Sequence, residues 1–409
     1  MVVSPLSKSS GPLKMADVSD IRDINQTIFL HLIREQQPIS RANITKQTGL
    51  SPGTVSAIVN RLIQRGMVYE GTEGPSSGGR RPRFLHINAE TYYVLAVDIG
   101  VTDTVVAISD FNGHIVQQRS MITDRDSQRF LVSLGDEVAA MIRVKHGHRR
   151  FGGIGVSVPG LIDRETGVLE TSPNLEWKDV PIREVLSARF DLPVFVENDA
   201  NAAAFSEFWY GPLQEARVKN LLFVLVVEGV GTGLIINGQL HVGSRHGLGG
   251  FGHMSIDPNG ELCSCGRRGC WETFASDRAT IDRYQRVTAR HSSRPPSVRE
   301  LAAMALKGDD RARECLTITG EYLGEGISNL AHGIFPETIV VGGEITAAWP
   351  IVQPAIMKRL GSRYIISPDQ ITVRPASMER PSLHGVVPIA LQNSIGSLRG
   401  MSMVQEALG

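Results

Sequence analysis

Three of the four cysteines in this 409-residue chain, Cys263, Cys265 and Cys270, fall within eight residues, and His253 stands ten positions before the first. Whatever fold the chain adopts must close a loop around these donors. So few cysteines make no disulfide framework, and three thiols beside an imidazole point instead to a metal knuckle. Gly266 and Gly269 permit the sharp turns such a knuckle needs. Three thiolates and one imidazole fill a tetrahedron and leave no place for a catalytic water, so the expected cofactor is a structural Zn²⁺. Free thiols in a loop would explain neither the histidine nor the spacing. Binding through one ring nitrogen would fix the direction of the other and present it to a ligand. Cys315 stands alone and reads as core.

The first ninety residues carry a different signal. In "ISRANITKQTGLSPGTVSAIVNRLIQRG" (39–66), Ser40 can cap a short helix ending near Thr48, and Gly49 supplies a left-handed turn. Ser51 can cap a second helix with Pro52 at its first position. Val55, Ile58, Val59, Leu62 and Ile63 make one apolar stripe along it, while Gly53, Thr54, Ser56, Ala57, Asn60, Arg61 and Gln64 face away. A preceding helix would bury Ile24, Ile28, Phe29, Leu32 and Ile33. The pattern is a helix-turn-helix. "MVYEGTEGPSSGGRRPRFLHI" (67–87) then reads as strand, Gly/Ser tip and Arg-rich strand, a wing. Double-stranded operator DNA is the expected partner. Ser51, Gly53, Thr54, Ser56, Asn60 and Arg61 would approach bases or phosphates, and Arg80, Arg81 and Arg83 phosphates or a minor groove. Residues 38–90 hold seven basic and three acidic side chains, a net +4, although the whole chain balances at 42 of each sign. A generic three-helix interaction module is the plainer alternative.

The remainder is an α/β body. "YYVLAVDIGVTDTVVAISDFNGHIV" (92–116) reads as strand, tight turn, strand, Asn-Gly turn and strand, with Asp98 at a strand end and Gly100 in the turn. This opening suits a lobe of the actin-like, ribonuclease-H-like ATPase fold, where such an aspartate organises Mg²⁺ and phosphate. "VVEGVGTGLIINGQL" (226–240) repeats the scheme, and "IVVGGEIT" (339–346) runs a strand into a glycine pair. Each glycine loop taken singly is equally a plain hairpin turn. In "VFVENDANAAAFSEFWYG" (194–211) a strand ends at Glu197-Asn198-Asp199 and a helix begins with Asn201 and three alanines. Asp199 there is either a base facing a cleft or the helix cap.

In chain order DIGVT, SVPG, PNLEW, ENDANA, GFGH, CSCGRRGCWE and VVGGE resemble the ROK family of repressors and sugar kinases over about 310 residues, and the winged helix in front resembles its regulator branch. The resemblance implies two actin-like lobes with sugar in the cleft, contacted by Gly160, Asn174, Asn198, Asp199, His253 and Glu272. Asp199 corresponds to the kinases' catalytic base. Asp98, Gly100, Thr102, Gly229, Gly231, Gly342 and Gly343 would be remnants of nucleotide loops. Three positions depart from the kinase pattern: Val101 replaces a glycine in the first phosphate turn, Glu228 stands where the second loop has Gly-Thr-Gly, and Gly250 replaces the glutamate of Glu-x-Gly-His. Two charges about 4 Å apart repel by roughly 4 kcal/mol at an effective dielectric near 20, which opposes a triphosphate beside Glu228.

The expected molecule is thus a sugar-responsive repressor of carbohydrate genes, with no catalytic residue, Asp199 a vestigial base and ATP/Mg²⁺ absent from its chemistry. Its effector would be a sugar or sugar phosphate. The alternative is an ATP-dependent sugar kinase with an accessory DNA-binding head. Expected boundaries are a disordered tail over 1–16, a winged helix-turn-helix over 17–90 and an effector body over 91–409. Lobe one would span about 91–200 plus the C-terminal helix, and lobe two about 201–385. The longest apolar run, residues 221–227, is far short of the roughly 20 residues a membrane span needs. Cytoplasm, a homodimer or tetramer, and a transport-protein partner as a second route of release complete the expectations.

Overall fold

The computed structural model describes residues 26, 29–30, 32–34, 36–73, 82–88, 92–143, 150–212, 218–243, 250–289, 294–363 and 371–395. These form two compact units, one reaching Ile87 and one running from Asn88 to Ser394. The expected tail, Ile24, Ile28, Arg80 and Arg81 lie outside the described residues.

In the first unit local chemistry sets both helix starts. The Ser40 hydroxyl accepts from the Asn43 amide at 3.2 Å and opens the helix Arg41–Thr48, which Gly49 ends at φ 67°. Only a residue without Cβ adopts that left-handed turn at no steric cost. Ser51 accepts from the Thr54 amide at 3.2 Å and opens Pro52–Gln64, of which Val55, Ile58, Val59 and Leu62 are buried. Phe29, Leu32, Ile33, Ile44 and Leu85 are likewise nearly or wholly out of solvent. Burying such side chains stabilises by about 1.5–3 kcal/mol apiece. Strands β1 (Ile39–Ser40), β2 (Val68–Glu73) and β3 (Arg83–Ile87) form an antiparallel sheet in the order β1-β3-β2, the winged arrangement.

The second unit repeats one topology twice. Strands β4 (Tyr92–Ile99), β5 (Asp103–Asp110) and β6 (Ile115–Ile122) form an antiparallel meander; β7 (Arg150–Val158) and later β11 (Val194–Asn198) add parallel strands on its other side. The sheet order is β11-β7-β4-β5-β6. Between them β8 (Leu161–Asp163), β9 (Val168–Ser172) and β10 (Trp177–Val180) make a small antiparallel sheet. Then β12 (Leu221–Val226), β13 (Val230–Ile236) and β14 (Gln239–His241) form a second meander, and β15 (Thr338–Gly342) and β16 (Thr372–Pro375) its parallel additions, in the order β14-β13-β12-β15-β16. Each sheet has its own apolar core, the first sealed by Phe130, Leu134 and Val138 of helix Ser127–Arg143, the second by the helices Asp310–Ile334 and Trp349–Arg363.

The helix after β11 begins at Asp199, two residues before the expected start, and runs to Tyr210. Its alanines lie hard against β13: a Cβ on Gly233 would come within 2.4 Å of the Ala200 carbonyl, and one on Gly231 within 2.8 Å of the Ala200 Cβ. Gly231 thus sits inside a strand, and close helix–strand packing demands it. Helix Pro381–Ile395 returns to the first lobe, where the Val386 carbonyl would stand 2.4 Å from a Cβ on Gly155 in β7.

Candidate functional site

On the winged head, Ser51, Gly53, Thr54, Asn60 and Arg61 are exposed along one side of Pro52–Gln64 and Ser56 is half-buried, so the expected reading face is open. Two of its side chains are engaged in the cap itself, the Ser51 and Thr54 hydroxyls lying 2.9 Å apart. The Asn60 side-chain oxygen accepts from Arg41 Nη2 at 2.9 Å. The same Arg41 nitrogen lies 2.7 Å from Glu70 Oε1, and Arg83 Nη1 is 3.3 Å from Glu70 Oε2. Burial pushes the Glu70 carboxyl up, but the guanidiniums of Arg41 and Arg83 more than reverse this and hold it below its ordinary value. Arg41 and Glu70 were not legible as parts of this face, because their partners lie 19 and 29 residues from Arg41.

In the second unit a cleft of about 1280 Å³ opens at the carboxyl ends of β4, β11, β12 and β15. Open α/β sheets bind ligands at such strand ends. Asp98, Gly100, Thr102, Gly160, Asn174, Asn198, Asp199, Gly229, Gly231, His253, Glu272 and Gly343 all line it. Gly342 does not; it is buried in β15, where a Cβ would meet the Phe223 ring at 2.6 Å.

Asn198, not Asp199, caps the helix after β11. Its Oδ1 accepts from the Ala200 and Asn201 amides at 3.0 and 3.1 Å. Its amide nitrogen donates to the Gly160 carbonyl at 3.2 Å and to Asp199 Oδ1 at 2.9 Å. Asp199 lines the cleft, its Oδ1 also accepting from the Ala200 amide at 2.9 Å. Burial, with repulsion from Asp98 and Glu228, outweighs the pull of the Ala200 amide and raises its carboxyl to about 6.

Asp98, close enough to Asp199 to repel it, accepts from the Ser157 hydroxyl at 2.5 Å. Burial raises its carboxyl against the pull of Ser157 and Arg380. Arg380 enters here unforeseen: Nη1 lies 3.9 Å from Asp98 Oδ2 and Nη2 3.0 Å from Asp103 Oδ2. Val101 lines the cleft and also packs against the first lobe's core, so the turn is not left wholly to it. Glu228, Asp277 and Glu344 also line the cleft. Burial raises Glu228 and Asp277 alike, and Glu344 adds repulsion to both. Gly250 also faces the cleft, and a Cβ there would meet nothing within 4 Å. That space is open among the described residues.

The cysteine cluster forms as expected. His253, Cys263, Cys265 and Cys270 bring their donor atoms within 4.8 Å of one another. Gly266 and Gly269 adopt φ 85° and 65°, and a Cβ on Gly269 would stand 1.5 Å from the Asp257 carbonyl. His253 turns Nδ1 inward, 3.4 Å from Cys263 Sγ. Burial raises Cys263 and Cys270; Cys265, despite the same push, is lowered by the Arg267 amide and the neighbouring thiols. Glu272 links this cluster to the cleft. Its Oε1 lies 3.0 Å from Cys263 Sγ and 3.3 Å from His253 Nδ1, while Oε2 borders Gly229, where a Cβ would stand 2.8 Å from it. Asn174 closes the same corner, 3.1 Å from that position.

Residues 94–391 match the ROK family and residues 19–81 the MarR family. Over 361 residues the chain is 34% identical to a xylose repressor of Bacillus subtilis (strain 168), spanning 86% of this chain and 90% of that protein. Over 353 residues it is 29% identical to the DNA-binding transcriptional dual regulator NagC of Escherichia coli (strain K12), spanning 85% and 86%. A crystal structure of a ROK family transcriptional regulator, a homologue of the E. coli MLC protein, matches at a TM-score of 0.80 and 26% identity, over 95% of this chain and 100% of that one. A ROK family glucokinase from Streptomyces griseus, solved with glucose and AMPPNP, matches at a TM-score of 0.65 and 25% identity, over 73% and 99%.

Proposed function

The chain belongs to the ROK family, and from that premise we propose that it is a sugar-responsive transcriptional repressor of carbohydrate genes, with a DNA-binding head to about residue 90 and an effector body beyond. The observation that carries the reading is one chain holding both an exposed recognition helix and a kinase-shaped cleft unsuited to phosphate. Arg380 is engaged with the two carboxylates of the phosphate turn, and Glu228, Asp277 and Glu344 place three carboxyl groups in the cleft's lining, Glu344 beside Arg299 at 3.8 Å. Phosphoryl transfer relies on cations and donors in that place. Repressors and regulators match across head and body together.

In this reading the recognition helix Pro52–Gln64 lies in a major groove. A homodimer would set two such helices on a near-palindromic operator. Sugar hydroxyls meet Asp199 as acceptor, with Gly160, Asn174, Asn198, His253 and Glu272 around it. A ligand that binds one arrangement of the lobes better than another shifts the population, and with it the fit of two heads to two half-sites.

The Cys/His cluster fits a zinc ion: thiolates at about 2.3 Å from a tetrahedral Zn²⁺ stand about 3.8 Å apart, and Cys265 and Cys270 Sγ are 3.6 Å apart. His253, Cys263, Cys265 and Cys270 would hold it through Nδ1 and three thiolates. The ion would supply structure alone. His253 Nε2, its other ring nitrogen, is then the one left for a hydroxyl.

The test is DNA binding by fluorescence anisotropy, on duplexes selected by the protein from a random library, with D-xylose or N-acetylglucosamine and their phosphates added. One of them should weaken binding. DNA affinity indifferent to every sugar overturns the switch, and ADP release abolished by Asp199→Asn overturns the non-catalytic reading. A lysate component that alone releases DNA would favour a protein partner over a sugar.

A further inference from the structure

From Gln36 to Ile87 the sequence holds seven basic residues, Arg41, Lys46, Arg61, Arg65, Arg80, Arg81 and Arg83, and two acidic ones, of which one, Glu70, meets both helix and wing. That acid is not placed at random. Each of its oxygens takes one guanidinium: Oε1 that of Arg41 at 2.7 Å, Oε2 that of Arg83 at 3.3 Å. Arg41 opens the first helix of the helix-turn-helix and touches Asn60 on the exposed side of the second, while Arg83 opens the returning wing strand and is 56% exposed. A carboxylate with two arginines on its two oxygens has the geometry of a phosphate group between the same arginines.

We propose that Glu70 is a built-in stand-in for DNA phosphate, which holds Arg41 and Arg83 out of indiscriminate backbone contact and so sets the head's discrimination between operator and other DNA. The proposal rests on the DNA-binding reading and adds to it one phosphate-contact residue, Arg41, and one specificity residue, Glu70. Stability alone does not account for the arrangement. The pair with Arg83, itself 56% exposed, contributes about 0–1 kcal/mol; the pair with Arg41 is half-buried, and two guanidiniums on one carboxylate leave a residual positive charge rather than a neutral pair. Generic DNA, held by phosphates alone, must take the arginines from Glu70 before it gains from them. An operator held in register by base contacts presents its phosphates at a fixed place and makes the exchange at less cost.

Glu70→Gln keeps the shape and removes the competing charge. Anisotropy titrations of selected operator and of scrambled duplex, across a salt series, read the effect. The variant should bind scrambled duplex more tightly than the wild type, gain less on operator, and steepen the slope of log K against log salt by about 0.9 for each arginine released. Between about 50 and 200 mM salt its advantage on scrambled duplex should shrink roughly 3.5-fold per arginine. Adding Arg41→Ala should remove one arginine's share. Unchanged slopes, or weaker binding to both duplexes by a folded variant, overturn the proposal while leaving DNA binding intact; a wild type that binds neither duplex overturns both. If Glu70→Gln melts early, Arg41→Ala alone decides: it should lower the operator slope by about 0.9, and no change in slope refutes the contact.

Discussion

Asp199 can be titrated through the ligand it is meant to hold. With its carboxyl raised to about 6, chiefly by burial, the side chain is about 90% ionised at pH 7 and about 10% at pH 5. A sugar hydroxyl donates to the carboxylate and loses that acceptor on protonation. Affinity should therefore fall about tenfold between pH 7 and 5, or ~1.4 kcal/mol. The same shift has the opposite sign for the empty protein. Because the folded state holds this proton more tightly than the unfolded chain, the group's own contribution to stability grows as pH drops from about 6 towards its ordinary value of 3.8. Weaker ligand binding in a protein that this group makes more stable separates Asp199 from general acid unfolding. Isothermal titration from pH 5 to 8, with whichever of D-xylose and N-acetylglucosamine binds at neutral pH, reads the first trend. Asp199→Asn should bind weakly and show no such profile. A flat profile in the wild type, or the same slope in the variant, would refute the assignment.

Further outcomes concern the scaffold. Cys265→Ser should carry substoichiometric zinc by atomic absorption and melt at a lower temperature, since metal binding in such sites is folding energy; full occupancy would contradict the ligand set. Gly252→Ala places a Cβ 1.9 Å from the Val230 carbonyl, so the turn carrying His253 must shift, and both zinc content and melting temperature should fall. Glu207 is fully buried, and its carboxylate takes Arg374 at 2.5 Å and the Ser377 hydroxyl at 2.9 Å. Glu207→Ala leaves that arginine without its partner, and urea unfolding should show a loss of about 3–5 kcal/mol; less than 1 kcal/mol would mean water reaches the pair.

What the sequence disclosed was local. Ser40, Gly49 and Ser51 punctuate their helices through bonds three or four residues long, and three cysteines in eight residues advertise their own cluster. The two glycine-rich strand turns also announced a duplicated lobe. The glycines themselves were ambiguous: Gly231 answers to a helix alanine and Gly342 to Phe223, which a phosphate-loop pattern cannot tell from ligand approach. Arg380 meets Asp103 across 277 residues and Arg374 meets Glu207 across 167, and no periodicity encodes such pairings. Asn198 shows the same limit at short range. Its type suited sugar hydroxyls, but only the folded backbone reveals that its amide is engaged.

That engagement has a bearing on how sugar preference can drift. A side chain tied at both ends to Gly160 and to the first turn of a helix has no freedom left to surrender when a guest arrives, so that part of the cleft is ready-made and the guest meets no ordering penalty there. Altering it would disturb the helix start and the cleft lining together. Gly250 is the contrasting position: among the described residues nothing stands within 4 Å of a Cβ there, so a new side chain would have room to grow.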